Sequence, residues 1–146
     1  MTRRSSAMIL ASFVALAVAA SLAFVAGRGV SPLANLLAKK PERLMLVYVG
    51  ADDCAPCRIW QRDHAPTLRE PSFARLIYRE VKAPRLLDVM NDDYWPDDLR
   101  RWQTQLGPGA GVPLWLVVAD GAIVGRGHGA SEWSRTVLPI LKSLVR

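Results

Sequence analysis

The sequence has few residues that bind metals through sulfur or imidazole. Its 146 residues include two cysteines and two histidines, and both cysteines belong to one motif, Cys54-Ala55-Pro56-Cys57. A closed zinc site usually takes four ligands, so His64 and His128 would have to complete one from distant positions in the chain. The interpretation of the cysteine pair as half of a zinc or copper site is therefore the weaker one, and we expect no metal.

The chain also lacks a strong excess of charge of one sign outside its N-terminal segment. Three of the 19 basic residues, Arg3, Arg4 and Arg28, flank an apolar run, which leaves 16 Lys and Arg against 13 Asp and Glu. Basic and acidic residues interleave, as where Arg100-Arg101 follows Asp97-Asp98. This pattern indicates a mixed solvated surface, and we expect no nucleic-acid partner.

One long hydrophobic run stands near the N-terminus. Residues 7–26 are apolar except for two serines, and a helix of this length, about 30 Å, can cross a bilayer. A secretory signal usually has a shorter apolar core of about 7–15 residues. Residues 1–28 therefore predict a transmembrane anchor or a cleaved signal segment, with membrane contact through residues 7–27. Arg3 and Arg4 would stay in the cytoplasm, which predicts a bacterial cytoplasmic membrane protein whose domain faces the periplasm, or a secreted periplasmic domain after cleavage.

Residues 29–42 contain glycine, proline and paired lysines and predict a linker, so that the folded domain spans residues 43–146. Apolar runs predict four strands, at residues 44–49, 76–81, 114–118 and 122–126. Asp120-Gly121 between the last two is a hairpin signal. Residues 82–91 carry no clear pattern and are expected to form a loop.

Three helices are predicted between and after these strands. One begins at Cys54 with Pro56 in its first turn, and one begins at Pro96 and ends at Gly107. The last runs over residues 132–145 with Ser131 as its N-cap, and Pro139 inside it should kink or divide it. Strands that alternate with helices before a final hairpin predict an α/β fold with a mixed four-stranded sheet flanked by helices.

The cysteine pair has the spacing of a redox-active dithiol. At a helix N-terminus, unpaired N–H groups and the helix dipole favour an anion, which lowers the pKa of the Cys54 thiol and supplies the reactive thiolate. Cys57 lies one turn further along and can close a small disulfide. We therefore expect Cys54 to be the nucleophile and Cys57 the resolving thiol.

Four segments together resemble the thioredoxin superfamily over residues 43–146: Asp53-Cys54-Ala55-Pro56-Cys57 after a strand, Gly111-Val112-Pro113 before a strand, Asp120-Gly121, and Gly127-His128-Gly129. The resemblance implies a thioredoxin-like fold in which Pro113 follows a cis peptide bond and faces the cysteine pair. It also implies that the backbone of Val112 pairs with an extended substrate. His128 would lie in a loop near the cysteines, where it could tune the pKa of Cys54.

The sequence departs from the thioredoxin pattern at three places. Ala55-Pro56 stands between the cysteines, where thioredoxins have Gly-Pro. Asp53 stands where thioredoxins have tryptophan, and its charge, with that of Asp52, would oppose thiolate formation at Cys54. Tyr48 stands six residues before Cys54, where the family has a buried acid that accepts a proton.

Trp115 should share a strand face with Pro113 and is the best aromatic candidate for the rim of the site.

These residues predict a thiol–disulfide oxidoreductase that acts on protein dithiols or disulfides outside the cytoplasm, together with a redox partner. Such exchange proceeds through a mixed disulfide and needs no cofactor. The alternative is a non-catalytic thioredoxin-fold binding module that holds a metal or a client peptide. A purely structural disulfide is a third interpretation.

Overall fold

A four-stranded sheet organises the domain. The structure, a computed structural model, describes residues 40–107 and 109–146. The strands occur in the spatial order β2-β1-β3-β4, with β1 and β2 parallel and the other pairs antiparallel. Their bounds are Leu44–Ala51 (β1), Ile77–Ala83 (β2), Leu114–Ala119 (β3) and Ala122–His128 (β4).

Helices connect these strands and cover both faces of the sheet. They are Ala55–Asp63 (α1), Arg100–Leu106 (α2), Ala130–Glu132 (α3) and Leu138–Val145 (α4), and a π-helical turn, Trp133–Val137, joins the last two. Short 3₁₀ turns fill the connections on either side of β2. The predicted α/β architecture with a mixed four-stranded sheet is therefore confirmed for the described residues.

The predicted membrane segment, residues 1–28, and nearly all of the predicted linker lie outside the described residues. In the part of the chain that the structure describes, no helix is both long enough and apolar enough to cross a bilayer.

Each face of the sheet packs against its own apolar cluster because side chains of a strand alternate between faces. Leu46, Tyr48, Trp115 and Val117 point to one face, together with both cysteines and the C-terminal helices. The opposite face packs against α2 and the segment before it through residues such as Trp102. Strands β1 and β3 are buried on both faces, as their continuous apolar runs predicted.

Two helix starts differ from the sequence-based predictions. Helix α2 begins at Arg100 rather than Pro96, because residues 96–99 form a turn in which the Leu99 N–H donates to the Pro96 carbonyl. The prediction that Ser131 is the N-cap is wrong, since α3 begins at Ala130 after Gly129 and no side chain caps it. The Ser131 hydroxyl instead accepts a hydrogen bond from Arg135.

Pro139 divides the C-terminal helix, as predicted. It lies in the first turn of α4, where a missing N–H is tolerated. The turn before it has the wider hydrogen-bond spacing of a π-helix, in which the Leu138 N–H donates to the Trp133 carbonyl.

Candidate functional site

The cysteine pair lies at the C-terminal end of β1 and the start of α1. Cys54 is the N-cap of α1 with extended backbone angles, and Pro56 lies in the first turn. A disulfide joins Cys54 and Cys57, whose Cα atoms are 5.2 Å apart. The backbone N–H of Cys57 donates to Cys54 Sγ at 3.2 Å. In the reduced protein this N–H and the helix dipole stabilise negative charge on Cys54, which supports its role as the nucleophile.

Burial distinguishes the two sulfurs further. Cys54 is 6 % exposed and Cys57 is fully buried. An incoming thiolate or disulfide therefore meets Cys54 first, and Cys57 can act only from within the protein. Exchange through a mixed disulfide on Cys54, resolved by Cys57, agrees with this arrangement.

The segment before β3 lies against the cysteine pair. The Val112–Pro113 peptide bond is cis, as expected, and the Val112 carbonyl oxygen lies 4.0 Å from Cys54 Sγ. The Pro113 carbonyl accepts a hydrogen bond from the Gly129 N–H at 2.8 Å, which ties this segment to the end of β4. Among the described residues, neither backbone polar group of Val112 forms a backbone hydrogen bond. Both groups can therefore pair with an extended chain, and the substrate role of Val112 and Pro113 stays a prediction.

His128 approaches the same segment from the end of β4. A Cβ atom at Gly111 would lie 2.4 Å from His128 Nε2, so the imidazole lies directly over this glycine. His128 is exposed and next to the Val112 segment. Its effect on the pKa of Cys54 stays a prediction. His64, in contrast, is the C-cap of α1, at the opposite end of that helix from Cys54.

The two acidic residues before Cys54 form contacts that the sequence did not indicate. Asp52 pairs with Lys82 at 2.6 Å, and this contact raises the pKa of the lysine. Asp53 Oδ1 accepts a hydrogen bond from the Leu86 N–H at 2.7 Å. Asp53 therefore holds the turn that follows β2, while its predicted influence on the pKa of Cys54 stays a prediction.

Tyr48 occupies the position of the family's buried acid with a neutral side chain. It is fully buried, and its ring stacks on Trp60 with 4.5 Å between centroids. A Cβ atom at Gly50 would lie 2.2 Å from the Tyr48 hydroxyl, so the phenol points along β1 toward the cysteine end of the sheet. Burial raises the pKa of Tyr48 further above its usual value. Tyr48 therefore stays protonated at neutral pH and cannot accept a proton as a carboxylate would.

Trp115 is not a rim residue, so that prediction is wrong. It is fully buried and packs against Trp60 and Trp133 at centroid distances of 5.3 and 5.5 Å. β3 is central in the sheet and covered on both faces, which leaves no exposed face for this side chain.

Sequence reasoning missed the turn at residues 86–88 beside the site. Leu86 and Leu87 are 45 % and 91 % exposed in a 3₁₀ turn, Leu86–Asp88, within the predicted loop 82–91, whose first two residues belong to β2. The signal available in the sequence was the pair of adjacent leucines in a segment without strand or helix periodicity.

No group of three potential metal-ligating side chains comes together within residues 40–107 and 109–146.

Three solved structures are similar to this chain. The chain is similar to thioredoxin Mala s 13 of Malassezia sympodialis, with a TM-score of 0.50 and 13 % identity over 80 % of this chain and 89 % of the other. It also matches Trxlp of Edwardsiella tarda, with a TM-score of 0.45 and 19 % identity over 73 % and 92 % of the two chains. Thioredoxin f2 of Chlamydomonas reinhardtii matches with a TM-score of 0.46 and 14 % identity over 77 % and 89 %. The sequence matches no family model and no curated protein.

The domain has a thioredoxin-like fold, as the first of these similarities shows. In this fold the chain places a Cys54–Cys57 disulfide at the start of α1, next to a cis proline. The predicted thioredoxin-like fold is therefore confirmed.

Proposed function

We propose that this protein is a thiol–disulfide oxidoreductase of protein dithiols and disulfides. The observation that carries the proposal is the position of Cys54 Sγ, which accepts the N–H of Cys57 at the start of α1 and lies 4.0 Å from the Val112 carbonyl. A reactive sulfur thus adjoins a segment whose backbone can pair with an extended chain. A disulfide with only a structural role would not need this second feature.

The exchange balances without a cofactor. In the reducing direction, the Cys54 thiolate attacks one sulfur of a substrate disulfide, and the other substrate sulfur leaves as a thiolate that takes up a proton. Cys57, after losing its proton, attacks Cys54 Sγ, which releases the second substrate thiol and forms the Cys54–Cys57 disulfide. Two electrons pass to the substrate, and a dithiol redox partner restores the reduced enzyme. The oxidising direction is the reverse of these steps.

We further propose that the domain works outside the cytoplasm, at a bacterial cytoplasmic membrane. The support is the sequence, in which Arg3 and Arg4 precede an apolar run of membrane-spanning length. A reporter enzyme that is active only in the periplasm, fused after Arg146, should be active. Activity of a reporter that works only in the cytoplasm would contradict this orientation.

Single cysteine variants test the chemical proposal. In the full-length protein, Cys54→Ser should abolish exchange with a protein disulfide, whereas Cys57→Ser should trap a mixed disulfide through Cys54 that is visible on a non-reducing gel. The Gly109→Ala variant is a control, because no atom lies within 4 Å of the added Cβ. Retained client binding with no exchange activity in the unmodified protein would instead support a binding module.

A further inference from the structure

Two exposed leucines, Leu86 and Leu87, lie in the turn that is hydrogen-bonded to Asp53, the residue before Cys54. β1 lies between β2 and β3 in the sheet. Because β2 runs parallel to β1 and β3 runs antiparallel, β2 ends and β3 begins at the edge where β1 leads into Cys54. The turn after β2 and the Val112 segment therefore lie on either side of the end of β1.

Asp53 fixes this turn relative to the cysteine. Its Oδ1 accepts the N–H of Leu86 at 2.7 Å, and the preceding residue, Asp52, donates its N–H to the Ala83 carbonyl at 3.0 Å. Both bonds join the segment immediately before Cys54 to the segment that carries the leucines. The turn therefore has a defined place next to the reactive sulfur.

The two leucines contribute little to the packing of the core. Leu87 is 91 % exposed and Leu86 is 45 % exposed, so Leu87 adds almost nothing to the apolar area that folding removes from water. A single exposed leucine is ordinary on a protein surface. Here two are adjacent, and the ion pair between Arg85 and Asp88 at 2.7 Å spans the short turn that presents them.

We propose that Leu86 and Leu87 form an apolar contact surface for the part of a protein substrate that flanks its reactive cysteine, and that Asp53 positions this surface. The inference rests on the proposed function. The site geometry favours this occupant, because a chain bonded to Cys54 Sγ begins 4.0 Å from the Val112 carbonyl and next to Asp53, which holds the leucine turn. The fitting partner is an extended polypeptide with an apolar side chain next to its cysteine. Asp53 is thus a positioning residue.

A pair of synthetic peptide disulfides tests this surface with the full-length protein. One peptide carries leucine next to its cysteine, and the other carries serine at the same position. We expect Leu87→Ser to lower kcat/KM for the leucine peptide about tenfold, which is the range of a modest apolar contact. The value for the serine peptide and the rate with oxidised glutathione should not change. Leu87→Met should retain the preference, because it retains an apolar side chain of similar volume.

Two further variants separate positioning from charge. Asp53→Asn keeps a side-chain oxygen that can accept the Leu86 N–H, and should retain the preference for the leucine peptide. Asp53→Ala lacks that oxygen and should lose the preference as Leu87→Ser does. Tyr78→Thr, which alters a partly exposed side chain nearer the start of β2, is the matched control and should leave the preference intact.

The outcomes distinguish the inference from the proposed function. No exchange by the unmodified protein with either peptide or with oxidised glutathione would remove the proposed function itself. Exchange with an unchanged leucine preference in Leu87→Ser would overturn only the contact surface. If Leu87→Ser lowered the rate equally with both peptides, and did so only after reconstitution into lipid vesicles, the leucines would be assigned to bilayer contact. That result would also overturn the inference.

Discussion

Replacement of Trp115 by alanine tests whether this side chain belongs to the core or to the site. Its indole is fully buried among Tyr48, Trp60 and Trp133, at centroid distances of 6.3, 5.3 and 5.5 Å. An aromatic side chain of this kind buries about 150–250 Å², which at about 25 cal/mol per Å² corresponds to about 4–6 kcal/mol of transfer free energy. Measured truncations of buried aromatic residues lower the free energy of unfolding by about 3–5 kcal/mol. We expect a loss of that size in Trp115→Ala.

The assay is equilibrium unfolding of the full-length protein in urea, followed by far-UV circular dichroism. Because domains of this kind have a total stability of about 5–15 kcal/mol, the midpoint of Trp115→Ala should fall strongly while the slope stays similar. Trp115→Phe keeps a packed ring and should lose less, and Leu87→Ala is an exposed control that should lose almost nothing. A loss below about 0.5 kcal/mol in Trp115→Ala, typical of surface positions, with impaired turnover of a protein substrate, would refute the core assignment.

Three other predictions concern reactivity, packing and pH. In single serine variants near neutral pH, the remaining Cys54 should alkylate faster than the remaining Cys57, because it is the N-cap and the less buried thiol; equal rates would contradict this. Gly127→Ala should lower Tm in a thermal melt, whereas Gly109→Ala should not, since only the former places a Cβ 2.4 Å from Val137 Cγ2. The bidentate hydrogen bond from Arg79 lowers the pKa of Asp98, so the stabilisation from this pair is present at neutral pH and is lost as acid protonates Asp98 in the folded state. The Asp98→Asn variant should therefore lose less Tm in acid than the unmodified protein. Identical pH profiles of Tm would count against the pair.

The site shows which parts of the mechanism are readable from sequence. The Cys-x-x-Cys spacing, the helix start and the proline before an apolar strand are local features, and each appears where it was expected. The roles of Asp53 and Trp115 were not readable. A hydrogen bond from Asp53 to Leu86 joins residues 33 positions apart, and no periodicity in either segment indicates it.

Local rules also failed where several residues compete for the same position. Ser131 is a good N-cap by residue type, yet α3 begins one residue earlier, after Gly129. Gly129 has a φ of 78°, in the left-handed region that favours glycine. Its N–H is already bonded to the Pro113 carbonyl. The start of the C-terminal helix is thus set by a contact with the Val112–Pro113 segment, not by the intrinsic preference of Ser131.

The sequence by itself determined the strands, the hairpin at Asp120-Gly121 and the dithiol at a helix start, because apolar periodicity and turn chemistry act over a few residues. The tertiary structure decided the neighbours of that dithiol. Strand order alone brings the Val112 segment and the Leu86-Leu87 turn to either side of the end of β1, which leads into Cys54. It also places Trp115 inside a covered strand. Pairing between strands joins residues far apart in the chain, and that register is set by the packing of the whole sheet.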